Sequence, residues 1–498
     1  MITRRVVLSR LAAAVAALAP WPFARTAGAT THAGGWVNDI HSKLNRTHVA
    51  RIVHPASMGE LRAAVAAAGA EGKAISIAGG RHAMGGQQFG SETYLLDTAS
   101  LGRVLSFDAN RGLIEVEAGI QWPELIAHLQ SVTDAPGGRW GIVQKQTGAD
   151  RLSIGGALSA NAHGRGLRLR PIVQDVESFV LVDANGEVRT CSRTENQALF
   201  RLAIGGYGLF GVIATVTLRL RRRVKVRRVV EIRAIDGLMD AFDARDAAGF
   251  LYGDFQFSTD NGADGFLRQG VFSCYEPVDL DTPIPEAQAE LSEADWMSLL
   301  YLSHADRAKA FATYTGYYAR TSGQVYWSDT HQLSVYLDDY HRVLDQRLGA
   351  AAPGSEMITE IYVPRPALGT FMEQVRADFL AHRVEFIYGT IRLIERDDET
   401  FLAWAKQPYA CIIFNLHVAH TPAGLAKAAA DFRRLIDRGI AHGGSYFPTY
   451  HRWATREQVL ACYPQFPEFL QLKRRHDPTE RFQSEWYRHY KTMFAVRL

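Results

Sequence analysis

His82 stands at the centre of the glycine-dense run GGRHAMGG, between two short apolar alternations, ISIA and YLLD. Gly79, Gly80, Gly85 and Gly86 can take positive φ and let the backbone approach a ligand closely. Successive N–H groups of such a loop make a cradle for a pyrophosphate. His82 is then either a group in contact with that ligand or a loop histidine beside a flexible turn. A second run, SIGGALSANAHGRG over residues 153–166, offers Gly155, Gly156, Gly164 and Gly166 for the same close approach. Its small residues Ala157, Ser159, Ala160 and Ala162 leave room for a flat ring system. His163 in that run has a structural reading and a functional one. Three later segments place polar candidates on alternating strand faces. EMITEIYVP puts Glu360 and Tyr362 on one face, EFIYGTIRLIE does so for Tyr388, Thr390 and Arg392, and CIIFNLHV for Asn415 and His417. Such faces either make a sheet wet on one side or line the ceiling of a cavity.

The elements that must position these groups are legible in order. SMGELRAAVAAAGA predicts a helix over 57–70, with Ser57 as N-cap, Glu60 three residues on and Gly69 near its end. It delivers the chain into the His82 loop. LGRVLSFD and GLIEVEAG read as strands joined at Asn110-Arg111-Gly112, and QWPELIAHLQ as a helix with Pro123 in its first turn. QDVESFVLVDANGEVRTC reads as a hairpin turning at Asn185-Gly186. Gly206-Tyr207-Gly208-Leu209-Phe210-Gly211 is a literal GxGxxG, but VIATVTLRL after it alternates with period two. A dinucleotide fingerprint opens a helix, so a Rossmann site is excluded. From about residue 229 glycine loops give way to aromatic strands and longer helices. The closing segment contains a helix that stops at Asp477-Pro478, since the residue before proline disfavours the helical region.

GGRHAMGGQ resembles the loop of the vanillyl-alcohol-oxidase/PCMH superfamily of flavoproteins, among them cytokinin dehydrogenases and alditol oxidases, whose G-x-G-H or G-R-H segment holds FAD. The likeness runs through three segments between about residues 53 and 220 and, more weakly, to the end of the chain. It implies a two-domain α+β fold: a PCMH-type FAD-binding domain over 46–222, an antiparallel-sheet substrate domain over 223–445 covering the flavin, and a segment over 446–498 that returns to the first domain. It implies that His82 is bonded covalently to the flavin and that Gly79, Gly80, Arg81, Ala83, Met84, Gly85 and Gln87 surround it. Along the second loop it implies contacts from Ser153, Gly155, Gly156, Ser159, Asn161, His163 and Gly164, and at the adenine end from Gly211, Val212 and Ile213. Doubly tethered relatives carry a cysteine in or just before the second loop; none stands here, so one covalent bond is expected. Thr390-Ile391-Arg392 resembles the Glu-Ile-Arg segment of alditol oxidases, with threonine in place of the carboxylate. Tyr-His-Arg-Trp-Ala at 450–454 resembles their His-Trp-Gly/Ala-Lys segment, with Thr455 in place of lysine, and brings Tyr450 and His451 towards the ring.

The activity so implied is hydride transfer from a CH–OH group of a sugar, polyol or related alcohol to FAD, with dioxygen or a quinone or cytochrome as final acceptor. His417 and Glu360 are the candidate bases, Arg392 the group that stabilises a developing alkoxide, and Asn415 a further catalytic-face residue. Two alternatives stay open: dehydrogenation beside an amine nitrogen, as in cytokinin dehydrogenases, and a flavin-bearing binding protein without turnover.

At 498 residues the chain is too long for one ordinary core. A formal charge of +3 argues for no acidic partner. Six arginines and one lysine fall within 219–228, yet no aromatic is interleaved to stack a base, so no nucleic-acid function is read and a solvated strand between domains is expected. Cys191, Cys274, Cys411 and Cys462 lie in no Cys-x-x-Cys or Cys/His cluster, so neither a metal site nor a disulfide framework is signalled, and they are expected to be buried hydrophobes. Thr3-Arg4-Arg5-Val6-Val7-Leu8, an alanine-rich apolar run over 11–18 and Ala27-Gly28-Ala29 read as an export signal over 1–29 that resembles the twin-arginine type. The run is shorter than a membrane span, so a periplasmic or secreted protein without a stable membrane anchor is expected.

Overall fold

The computed structural model describes residues 29–132, 139–335 and 337–494. The export signal lies outside the described residues except for Ala29. Among the described residues no helix is long and apolar enough to cross a membrane.

Two sheets carry the first half. In the four-stranded sheet Thr30–Val37 pairs antiparallel with Thr47–His54, which runs parallel to Tyr94–Asp97, itself parallel to Ile75–Ala78. Thr30–Val37, ahead of residue 46, is an edge strand of this sheet, its polar and glycine-containing sequence giving no strand signal. The helix Met58–Ala70 links the sheet's strands, with Ser57 Oγ accepting the Glu60 N–H as expected, and buries Leu61, Val65 and Ala68. The five-stranded sheet is antiparallel, in the order Val104–Asp108, Leu113–Glu117, Val212–Arg219, Val176–Val182, Val188–Ser192. Its third strand follows the GxGxxG segment directly, so the rejected Rossmann reading has no helix to stand on. Residues 153–166 are not one loop. Ser153 caps a helix, Ile154–Ala160, by accepting the Gly156 N–H, and Asn161 ends it at φ 50, since a short amide side chain tolerates the left-handed region.

The second half is built on an eight-stranded antiparallel sheet that includes Lys225–Ala234, Tyr252–Phe257, Gln269–Val278, Gly354–Pro364, Phe386–Ile394 and Tyr409–Ala419. Ser445–Tyr446 closes its edge against Ile361 and Tyr362. The arginine run is not simply solvated. Arg223 and Arg228 are buried: Arg223 pairs with Asp329, and Arg228 donates to Tyr275 Oη and Thr321 Oγ1 among three tyrosine rings. Buried guanidinium groups of this kind need such partners, which lie far off in sequence. All four cysteines are free and buried.

The closing segment forms the helices Arg456–Cys462, Phe466–His476 and Glu485–Phe494. It returns to the first sheet, where Ile75 N donates to Arg481 O (2.6 Å) and Gln483 N to Ile75 O (2.8 Å). Phe466, Phe469, Trp486 and Tyr490 join the large apolar core that also holds Trp122, Ile154 and Phe414, so both halves share one interior.

Candidate active site

The His82 loop is held by its main chain. Ile40 N donates to Arg81 O (3.1 Å), Asn45 Nδ2 to Met84 O (2.7 Å), Gln88 Nε2 to Ala83 O (2.6 Å) and Trp486 N to Gly86 O (3.3 Å). Arg81 sits at φ 57, uncommon for a residue with a Cβ, and its guanidinium bonds Asp97 Oδ2 at 2.6 Å, which locks the turn. Gln87 ties the loop to the far end of the chain, accepting from Gly85 N and donating to Pro448 O and Thr449 O. Two glycines are required by space. A Cβ at Gly79 would stand 2.1 Å from Ser153 Oγ, and one at Gly155 would stand 2.8 Å from the Ala118 Cβ.

These two segments and the Tyr207–Ile213 region enclose one elongated cavity. Gly79, Gly80, Arg81, His82, Ala83, Met84, Gln87, Ser153, Gly155, Gly156, Ser159, Gly211 and Ile213 line it, as does Tyr450. The small side chains of Ala118, Ala149, Ala160 and Ala162 also line it. Other expected residues lie off the lining. Gly85 turns inward under the Gln87 side chain. Asn161 is spent on helix termination, bonding Asp397 and the Val173 N–H. Val212 packs into the core of the four-stranded sheet. Gly164 takes the Gln144 side chain on its N–H, and His163 turns to the other domain.

Sequence reasoning missed His41, whose Nε2 lies 2.7 Å from His82 Nδ1. Burial is the main cause that lowers His41 to about 4 and His82 well below its ordinary value. Both rings are therefore neutral near pH 7 and share one proton. His41 sits in a segment, DIHSKL, without motif or periodicity; only the turn built on Asp39, which accepts the His41 N–H, brings it here. Tyr207 and Gln146 were also missed; Tyr207 enters at φ 54 from the GxGxxG segment.

The eight-stranded sheet meets this cavity through Ile358, and its polar candidates share that residue's face. Register places Glu356 opposite His417, Ile358 opposite Asn415 and Glu360 opposite Ile413, with Thr390 and Arg392 beside Ile413 and Cys411. Ile358, on that face, lines the cavity. The face is not wet: Glu360, Thr390 and Arg392 are buried. Glu360 is held from all sides. Its Oε1 accepts from Tyr450 Oη (2.7 Å), while its Oε2 accepts from Tyr362 Oη (2.7 Å) and lies 2.8 Å from His163 Nε2. His163 Nδ1 faces Gly164 O at 3.0 Å. Burial by itself raises Glu360; the His163 ring and the two tyrosine hydroxyls overcome it and hold the carboxyl at about 2. Through these contacts Glu360 fixes the hydroxyl of Tyr450. His417 stands at the far end of its strand, off the cavity lining, with Nδ1 3.2 Å from Glu356 Oε1. His451 is buried behind the cavity, stacked on Phe432, with Nε2 3.2 Å from Thr359 Oγ1, and burial lowers it to about 3.

What remains on the sheet face is a set of buried polar atoms that have no hydrogen-bond partner among the described residues: Arg392 Nε and Nη1, Thr390 Oγ1, Asn415 Oδ1, Asp254 Oδ1 and Ser273 Oγ. In the cavity wall Gln88 Oε1 and Gln146 Oε1 are in the same state. Glycines that bring main chain to a surface, small side chains that leave a flat slot, and unpaired amide oxygens together suit a dinucleotide with a planar ring.

Residues 49–192 match the family model described as FAD binding domain. The chain is similar to the L-gulonolactone oxidase of Mus musculus, 28% identical over 166 residues, which is 33% of this chain and 36% of that protein. It is 32% identical over 170 residues to the D-arabinono-1,4-lactone oxidase of Yarrowia lipolytica, 33% of this chain and 31% of that one. With the L-gulono-1,4-lactone dehydrogenase of Mycobacterium tuberculosis it shares 29% identity over 210 residues, 41% and 46% of the two chains. The match spans less than half the length of each of these relatives.

Proposed function

Because residues 49–192 are an FAD-binding domain of the family that they match, we propose that this protein is an FAD-dependent oxidoreductase acting on a CH–OH group of a sugar lactone or a similar polyhydroxylated molecule. The observation that carries this reading is the cluster of unpartnered polar atoms at Arg392, Thr390, Asn415, Asp254 and Ser273, on the same face of the sheet as Ile358, which lines the cavity. Native interiors leave few such atoms, and each calls for water or a ligand. The cluster mixes strong donors with acceptors, which is what a molecule with several hydroxyl and carbonyl oxygens satisfies. The lactone names of the relatives support the same class.

FAD, when bound, supplies the hydride acceptor. The His82 loop, the Ser153-capped helix and the turn at Tyr207 and Gly208 would hold it. Arg392, whose Nε–H and Nη1–H have no partner among the described residues, would bind the substrate oxygen and stabilise the negative charge that develops on it as the hydroxyl proton leaves to solvent and the hydride passes to the flavin. Glu360 fixes the Tyr450 hydroxyl at the cavity wall, and Thr390 and Asn415 orient the remaining substrate oxygens. The covalent bond through His82 belongs to this proposal and is supported by a neutral ring in the lining. So do reoxidation by dioxygen or by a quinone or cytochrome, and export through the twin-arginine route.

Anaerobic mixing with lactones, polyols and amines tests the reading through bleaching of the flavin. Reduction by a sugar lactone or polyol supports it. Reduction by amines alone moves the protein to the CH–NH class, and no reduction by any of the three refutes turnover on these donors.

A further inference from the structure

We propose that His304, Glu356 and His417 form a binding site for a divalent ion of the zinc class, separate from the cavity. The three come from different elements. His304 lies in the last turn of the helix Glu293–Ala305, Glu356 near the start of the strand Gly354–Pro364, and His417 directly opposite it on Tyr409–Ala419. One ligand atom from each falls within 4.8 Å of the others.

The distances fit a coordinated ion as well as a hydrogen-bonded pair. His304 Nε2 and His417 Nδ1 both lie 3.2 Å from the same carboxylate oxygen, Glu356 Oε1. Ligands about 2.0–2.1 Å from a tetrahedral zinc are separated by about 3.3 Å, so the spacing is that of a coordination edge. His304 Nε2 is buried and forms no hydrogen bond of acceptable geometry, although its side chain is only 9% exposed. Two histidines and one glutamate are a donor set that zinc accepts, with the fourth position open to water. The surroundings are those of a prepared site. Tyr340 Oη donates to Glu356 Oε2 at 2.5 Å and orients the carboxylate, as groups behind metal ligands do. The two imidazoles meet edge to face, with centroids 4.9 Å apart. Gly354 is needed there, because a Cβ at that position would stand 2.4 Å from the His417 ring. The three ligands are scattered through the sequence with no short-range spacing, which is why no metal motif is legible in it. An ion there would rivet the helix Glu293–Ala305 to the sheet that carries Arg392.

The test uses untagged, FAD-loaded protein, stripped with a chelator and titrated with Zn²⁺ alone by calorimetry, with bound zinc counted after gel filtration. The expected result is one equivalent per chain and a higher melting temperature with zinc. Glu356→Gln and His304→Gln should each weaken binding tenfold or more while leaving the flavin spectrum and circular dichroism unchanged. His417→Gln provides the third reading if either variant fails to fold. No saturable binding to the wild-type protein, or equal stoichiometry and affinity in every folded variant, overturns the proposal.

Discussion

Glu360→Gln tests whether the buried carboxylate network is built around a charge. In the folded protein the carboxyl is held at about 2, against an ordinary value of 4.5. At about 1.4 kcal/mol per pH unit that difference corresponds to about 3 kcal/mol of stability at neutral pH. The amide keeps the shape but offers a single acceptor oxygen to two hydroxyls, those of Tyr450 and Tyr362, and carries no charge to face His163. Leaving a buried hydroxyl unsatisfied costs about 1–3 kcal/mol, in line with the first figure. Because the folded value is depressed, the wild-type contribution is fully present above about 4.5 and is lost as pH falls towards about 2. The variant lacks it throughout. Urea unfolding followed by tryptophan emission suits the measurement, since Trp404 stacks on Tyr362 with centroids 4.7 Å apart. The variant should unfold more easily by about 3 kcal/mol at pH 7, and the gap should shrink steadily below pH 4.5. A gap that stays constant from pH 7 to pH 3 would refute the charge-centred account.

Arg392→Met should slow flavin reduction in stopped flow by ~10²–10³, the usual cost of one preorganised donor, with an unchanged flavin spectrum; reduction within threefold of wild type would remove Arg392 from the chemistry. His82→Ala should release all flavin on acid precipitation, whereas the wild-type pellet should stay yellow; a colourless wild-type pellet would rule out the covalent bond. Gly79→Ala should lower FAD affinity through overpacking of about 1–3 kcal/mol against Ser153, read by equilibrium dialysis, and equal affinity would contradict the close approach of the two loops. Arg4→Lys with Arg5→Lys should leave flavin-loaded protein in the cytosol, and unchanged export would exclude the twin-arginine route.

Local pattern carried the sequence reading where chemistry is local. The two glycine loops and the Ser57 cap depend on neighbours within a few residues, and the structure places thirteen of the named loop residues in one cavity lining. The polar alternation around Glu360, Arg392 and His417 correctly predicted strand faces. It did not reveal what each face meets, because that is decided by segments far away in the chain: His163 meets Glu360, and His304 joins Glu356 at His417. Burial was misjudged for the same reason at Arg223 and Arg228, whose partners Asp329 and Thr321 carry no signal in the run itself. Thr30–Val37 escaped notice because its place is set by pairing with Thr47–His54 and not by its own composition.

The hydrogen bonds between Ile75 and residues 481–483 impose an order on how the protein comes into being. Asp477 prepares that junction: paired with the buried Lys473, its carboxylate accepts the N–H groups of Arg481 and Phe482. The sheet that supports the His82 loop is thus seamed by residues made more than four hundred positions later, and Trp486 completes the support under Gly86. The cradle around His82 is therefore complete only once the closing helices have docked on this sheet. The same seam means that a fragment ending at the sheet-to-sheet boundary near residue 222 would lack part of its own floor, and fusions or permutations would be tolerated best away from this stitched pair of segments.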